Sequence, residues 1–399
     1  MKTLLFVDDE PMVLQGLQRQ LRSMRSEWDM NFVEGGQSAL AFMATRPVDI
    51  VISDMMMPGM DGEQLLLEIV KRHPQTVRII LSGHSEREAA LRLVGPAHQY
   101  LSKPCDADEL RKAITRALAL RELLGNERLK LLTTRIKTLP SLPALQKQLT
   151  DEVQKESPSL ERVGEIISRD IGMTAKILQI VNSAFFGLGQ PVSNVTEAAT
   201  YLGLSTIHSL TLSTGIFSQY DQQVCKTFSL EALAQHAWLT AVLARRVAQT
   251  ERQDIKILDQ CFLAGLLHNV GQLILAFSLP EEYAEVIARA GRETLPVWQV
   301  EQDVFGATHT DVGAYLLALW GLPNPIIEAV AMQHHPARCA APEFSPAIAL
   351  HVADVFAHER AGTSIEIVPP QLDQPYLDRI GFGGRIDRWR EDCQETIET

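Results

Sequence analysis

The chain has 399 residues, 46% hydrophobic and 22% charged, which is ordinary globular composition with enough sequence for two or three domains and a large core. A net charge of -12 speaks against a broad phosphate-binding surface and hence against sequence-specific DNA binding. Cysteines at 105, 225, 261, 339 and 393 form no C-x-x-C, so neither a disulfide framework nor a zinc knuckle is indicated.

From the start, "MKTLLFVDDE" reaches acidic residues after a short apolar stretch and reads as a strand. Apolar runs then alternate with amphipathic stretches: "TLLFV", Leu14 to Leu21, "MNFV", Ala39 to Met43, "VDIVIS", Leu65 to Ile69, "VRIILS", Ala89 to Val94, "HQYLS" and Leu110 to Leu118. Five strand-like segments separated by five helix-like ones predict a parallel five-stranded sheet covered on both faces, an α/β flavodoxin-like (βα)5 domain over 1–124. Residues 107–138 read as a final helix continuing into a helical linker with an apolar stripe. That stripe suits a homodimer contact as well as packing against the chain's own helical half. "LPSLPAL" then opens an all-α domain over 139–360, whose segments "VGEIISRDIGMTAKILQIVNSAFF", "ALAQHAWLTAVLARRVA" and "CFLAGLLHNVGQLILAF" have helical period. Residues 361–399 are a C-terminal extension without a clear assignment. No apolar run approaches the roughly 20 residues of a membrane span, so the expectation is a cytoplasmic protein that makes no membrane contact.

Ligands of such sheets bind beyond the carboxyl ends of the strands. Those ends carry Asp8 and Asp9, Asp54, Ser82 and, in "YLSKP", Lys103. Crowded carboxylates favour a hard divalent cation, and Mg2+ suits oxygen ligands. With that cation in place a carboxylate can attack phosphorus. Together with Tyr100, these positions resemble the receiver domain of two-component response regulators. The resemblance implies Asp54 as phosphoacceptor, with Asp8, Asp9, Asp54 and the Met56 backbone carbonyl holding Mg2+. Lys103 and Ser82 would neutralise the phosphoryl group, and Ser82 and Tyr100 would form a switch pair read out around the fourth helix, fifth strand and fifth helix. The implied input partner is a sensor histidine kinase or phosphotransfer protein, and the implied output partner a downstream signalling protein.

In the helical half, His236, His268, His309, the pair His334 and His335, and Asp354 interrupt apolar helices, where burial is costly without partners. Their order is similar to the HD superfamily of metal-dependent phosphohydrolases, a resemblance that implies an HD-like part over about 230–360. Asn269, however, stands where the family has the aspartate of its His-Asp doublet, and a neutral amide supplies neither the charge nor the ligand strength. Gln272 stands where cyclic-dinucleotide phosphodiesterases of that superfamily have lysine, and no "GYP" follows "HHPARCAAP". "LPSLPAL", "IISRDIGMTAKILQIVNSAFFGL", "YLGLSTIHSL", "THTDVGAYLLALWGLP" and "QHHP" more closely resemble the HDOD domain, a non-catalytic relative. In this reading "NSAFFG" and Trp320 serve packing. The resemblances together imply a response regulator signalling through protein interaction, with no enzyme activity beyond handling its own phosphoryl group and no metal in the HDOD domain. The alternatives are a receiver-controlled cyclic-dinucleotide phosphodiesterase and a nucleotide-binding sensor without hydrolysis.

Overall fold

The structure is a computed structural model that describes the chain apart from residues 1, 83–96, 104, 106, 109, 112, 116–117, 119–138, 156, 183–190, 205, 208–216, 220–228, 340–342, 361–366 and 399. The chain divides into two compact units. One holds residues 1–138 with 179–190 and 318–321, and the other holds 139–178, 191–317 and 322–399.

In the first unit, strands β1 (Lys2–Asp8), β2 (Trp28–Glu34), β3 (Ile50–Asp54), β4 (Val77–Ser82) and β5 (Gln99–Ser102) form one sheet in the order β2-β1-β3-β4-β5, parallel throughout. Leu4, Leu5, Phe6, Ile50, Val51 and Ile52 are fully buried, as strands covered on both faces require. Helices α1 (Pro11–Gln20), α2 (Gly36–Thr45) and α3 (Gly62–Arg72) follow the first three strands. The expected helix at Ala89 to Val94 lies outside the described residues. Of the next, the described positions between 107 and 118 are helical, while the linker from 119 onward again lies outside.

The strand order reverses between β1 and β3, which opens a crevice at their carboxyl ends. Gly62 sets how closely α3 approaches it: a Cβ there would stand 2.4 Å from the Asp54 carbonyl oxygen and 3.0 Å from the Met55 Cα. The Asp61 carboxylate caps α3 by accepting from the Gln64 N–H at 2.8 Å.

The second unit is largely helical, as the periodicity predicts, with one addition. Leu139–Ser141 (β6) pairs in parallel with Phe217–Gln219 (β7). Helices α4 (Pro143–Val153), α5 (Leu160–Ser168), α6 (Ile171–Val181) and α7 (Val195–Leu202) come before the HD-like part. Asp170 fixes the strap that opens this unit. Its Oδ2 accepts from the Ser141 hydroxyl and the Leu142 N–H, both at 2.7 Å, and its Oδ1 accepts from the Met173 N–H at 2.8 Å. Burial raises the Asp170 pKa despite these donors. Gly172 leaves room for the strap, since a Cβ there would meet the Pro140 carbonyl oxygen at 2.4 Å. The "LPSLP" and "RDIG" motifs are thus two sides of one contact.

The core of the unit is built on α8 (Leu230–Thr250), α9 (Ile255–Leu267) and α15 (Pro346–Arg360), which pack on one another. Around them run α10 (Val270–Ser278), α11 (Pro280–Glu293), α12 (Val297–Phe305), α13 (His309–Leu319) and α14 (Asn324–Met332). Gly265 permits a close crossing: a Cβ on it would lie 2.5 Å from the Ala241 Cα on α8. The tail, unassigned from sequence, forms α16 (Gln374–Arg379) and α17 (Ile386–Glu398). Trp389 of α17 is fully buried and its indole N–H donates to Glu251 at 2.9 Å.

One expectation needs correcting. The segment Ile255–Ser278 is 24 residues long with a mean hydropathy of 1.5 in its most apolar window, enough by length and composition to cross a membrane. That window is 83% buried inside the protein, as in a core helix, and the segment is divided between α9 and α10 at His268 and Asn269.

Candidate functional site

At the edge of the sheet, β1 delivers Asp8 and β3 delivers Asp54 from adjacent strands in register, Val7 opposite Ser53. Lys103, just past β5, reaches both: its Nζ lies 2.7 Å from Asp8 Oδ2 and in contact with Asp54 Oδ1. Backbone donors complete the arrangement, with the Met56 N–H on Asp54 Oδ2 at 3.0 Å and the Glu10 N–H on Asp8 Oδ1 at 2.9 Å. Burial raises the Asp54 pKa, against the lowering effect of Lys103, and Asp8 adds to the rise. At Lys103 burial works downward, but the hydrogen bonds to Asp54 and Asp8 outweigh it and raise the ammonium. Asp9 is half-buried beside the pair, and Met56 is exposed.

The sequence thus brings three of its candidate residues into direct contact. Ser82 and Tyr100 sit on β4 and β5, paired with Ser102 and Ile80 respectively, but their side chains lie outside the described residues. The donor set fits Mg2+. It is all oxygen, and Asp8, Asp9 and Asp54 exceed the charge of Lys103 by enough to suit a divalent cation.

In the helical unit a second cluster forms around Asp354 of α15. His236 Nε2 of α8 donates to Asp354 Oδ1 at 2.9 Å, His358 Nδ1 lies 3.3 Å from the same oxygen, and His268 Nε2 lies 3.7 Å from it. Burial pushes Asp354 up, yet the hydrogen bonds from His236 and His358 prevail and hold it well below the usual carboxylate range. His268 is pushed down to about 3, by burial first and against the pull of Asp354. Its Nδ1 lies 2.6 Å from the Gly265 carbonyl oxygen, an acceptor, so that nitrogen carries the proton and Nε2 is bare. Asn269 and Gln272 are buried nearby in sequence on α10, and Asn269 Oδ1 and Gln272 Nε2 have no hydrogen-bond partner.

His309 and His334 form a neighbouring group. Glu301 Oε2 accepts from both the backbone N–H and Nδ1 of His309 at 2.7 Å, and Tyr283 donates to Glu301 Oε1 at 2.9 Å. Gln333 Nε2 lies 3.3 Å from both His309 Nε2 and His334 Nε2. Burial, then His309, pushes His334 well below the ordinary histidine value, against Asp354. His335 is exposed and stands edge-on to Trp298, apart from these groups.

Sequence reasoning missed Glu301, Gln333, His351 and His358. Two of these left a signal. His358 falls four residues after Asp354, and Glu301 falls on the stripe of Val297 and Phe305. The ligand atoms of His236, Asp354 and His358 lie within 4.8 Å of one another, the same closeness that lets them hydrogen-bond directly. Asp354 is the one carboxylate in this group, already held by its histidines, and Asn269 adds no charge. These residues do not fit the charge-rich metal centre of the HD hydrolases.

Comparison with known proteins agrees with this division. The response regulator receiver domain family matches residues 4–115, and the HDOD domain family matches residues 139–336. An uncharacterized protein of Treponema pallidum is 25% identical over 217 residues, 54% of this chain and 41% of that protein. The DNA-binding transcriptional regulator NtrC of Salmonella typhimurium is 37% identical over 114 residues, 28% of this chain and 24% of that protein. The chain therefore spans less than half the length of these curated relatives. Among solved structures, the MmoQ response regulator of Methylococcus capsulatus aligns with a TM-score of 0.51 at 26% identity, over 63% of this chain and 98% of that one. A Campylobacter jejuni virulence factor aligns with a TM-score of 0.53 at 19% identity, over 68% of this chain and 98% of that one, a likeness of fold alone. The chain carries an N-terminal response regulator receiver domain followed by an HDOD domain.

Proposed function

We propose that the chain is switched by phosphorylation of Asp54 in a two-component system and passes the signal on through an HDOD domain that binds a protein partner without hydrolysing a substrate. The observation that carries this reading is the Lys103 ammonium in contact with both Asp8 and Asp54 at the carboxyl ends of adjacent strands. Asp8, Asp9, Asp54 and the Met56 carbonyl would hold Mg2+, which when bound supplies positive charge to the phosphoryl oxygens. Asp54 is the nucleophile: one carboxylate oxygen forms the bond to phosphorus as the donor's bond to it breaks. The donor is a phosphohistidine of a sensor kinase or phosphotransfer protein. Lys103 would follow the developing charge from the carboxylate to the phosphoryl oxygens. Ser82 and Tyr100 would then register the added charge.

The helical unit supports a binding role. Asp354 finds its counter-charges within the protein, and Asn269 cannot supply the missing anion. DNA binding is part of the name of NtrC, of which this chain covers 24%, and the net charge of -12 gives it no support here.

The test is incubation with acetyl phosphate and Mg2+ followed by intact-mass analysis. Wild type gains one phosphoryl group and Asp54→Asn gains none. Equal labelling of the two would remove Asp54 from its role.

A further inference from the structure

A cavity of about 190 Å³ lies in the helical unit where the end of α5 and the start of α7 meet α8 and α9. It is smaller than the roughly 300–1,000 Å³ of drug-sized sites and suits a ligand of small-metabolite size. Trp238 and Phe262 give it an aromatic wall, edge to face with 5.5 Å between centroids, and Arg169 lies over the Trp238 ring at 5.8 Å and steadies it.

Another part of the lining is rich in donors that lack acceptors. Ser193 is 9% exposed and lines the cavity, and among the described residues its hydroxyl has no hydrogen-bond partner. Val195 and Thr196, also in the lining, are the first two residues of α7, whose N–H groups have no acceptor within the helix. Asn194 caps the third, accepting from the Glu197 N–H at 3.0 Å, and leaves those two. Arg245 of α8 completes this side. Its guanidinium lies 3.7 Å from Asp259 Oδ1, near enough to attract, and makes no hydrogen bond among the described residues. A helix start, a buried hydroxyl and a guanidinium together receive a carboxylate.

Two carboxylates line the same cavity. Asp259 accepts from Asn194 Nδ2 at 3.1 Å through Oδ2, and Glu165 pairs with Arg162 through Oε2. Each keeps accepting capacity for an ammonium. A phosphate or a simple carboxylic acid would meet these two anions with nothing to offer them, and the like charges count against it. A ligand that carries both signs satisfies both parts of the lining.

We propose that this cavity binds a free α-amino acid with an apolar side chain. Its carboxylate sits on Arg245, Ser193 and the start of α7, its ammonium on Glu165 and Asp259, and its side chain against Trp238 and Phe262. The site gives the helical unit a small-molecule input that does not depend on receiver phosphorylation.

The experiment is calorimetric titration of the full, unphosphorylated chain with L-leucine and L-phenylalanine, with their amides, and with isocaproate and hydrocinnamate, the same skeletons without the amine. At least one of the amino acids binds with Kd below about 1 mM. Its amide, which has lost the carboxylate, and its deaminated acid, which has lost the ammonium, each bind at least about tenfold more weakly. Arg245→Gln weakens binding by about tenfold or more and Ser193→Ala by about threefold or more. If Arg245→Gln fails to fold, the analogue series on wild type makes the same test. Absence of binding by both amino acids, equal binding of the amide or the deaminated acid, or unchanged affinity in the folded variants would each overturn the proposal.

Discussion

Lys176 offers a quantitative test of the helical core. It lies on α6 within the sequence "GMTAKILQIV", is 2% exposed, and burial pushes its ammonium down from 10.5 to about 7. Above about pH 10.5 the lysine is neutral in the folded and unfolded chain alike and costs nothing through its charge. Between there and pH 7 the unfolded chain holds one more proton than the folded one, so stability falls as pH falls, by about 1.4 kcal/mol per unit. Below pH 7 the folded form also protonates and the penalty levels off, at about 3 to 5 kcal/mol. Lys176→Met keeps a long flexible side chain and removes the charge. The stability of the variant relative to wild type therefore falls by roughly 2 kcal/mol between pH 7 and 9. Urea unfolding of both proteins across that range measures the gap directly, because titrations they share cancel in the difference. A difference that stays constant with pH would refute the reasoning.

Three further outcomes follow from named contacts. Lys103→Met leaves Asp8 and Asp54 facing each other without their shared cation, so labelling by acetyl phosphate slows at least about tenfold, and an unchanged rate would place Lys103 outside the chemistry. Gly271→Ala sets a Cβ 1.9 Å from the His309 carbonyl oxygen and 2.7 Å from the Gly313 N, backbone that cannot move aside cheaply. It costs more than about 2 kcal/mol in urea unfolding, and a loss within about 0.5 kcal/mol would show that α10 and α13 are not so close. Asp354→Asn removes the anion from a buried group of histidines and costs about 3 to 5 kcal/mol, in chelator-treated protein as much as in untreated. A loss seen only in untreated protein would point to a bound metal instead.

How much of this was legible in the sequence depended on what marks a residue's position. Asp8 and Asp54 were legible because each ends an apolar run, and a parallel strand buried on both faces delivers its last residue to the same edge as its neighbours. Helical packing gives no such rule. His236 and Asp354 are 118 residues apart, and only the order of residues shared with the HD superfamily suggested that they meet. Asp170 is the reverse case: its motif was quoted, but its partners Ser141 and Leu142 sit on a strap with no periodicity to place it. Gln333 left no mark at all, because its partner His309 lies 24 residues away on another helix.

The two units treat buried charge in opposite ways, and this difference is the basis for assigning them different work. In the receiver, two carboxylates meet a single ammonium with Asp9 half-buried next in the chain, and burial already presses Asp54 towards its neutral form. In the proposed function a cation would relieve that imbalance and a phosphoryl group would alter it. In the helical unit, one carboxylate is met by three imidazoles, and Asp354 sits well below its ordinary range because those partners already hold its charge. Buried groups of that unit without a hydrogen-bond partner include Asn269 Oδ1 and Gln272 Nε2 and also the ring nitrogens His236 Nδ1 and His268 Nε2. In the proposed function this is a domain that binds, because the charge of Asp354 is already met within the protein.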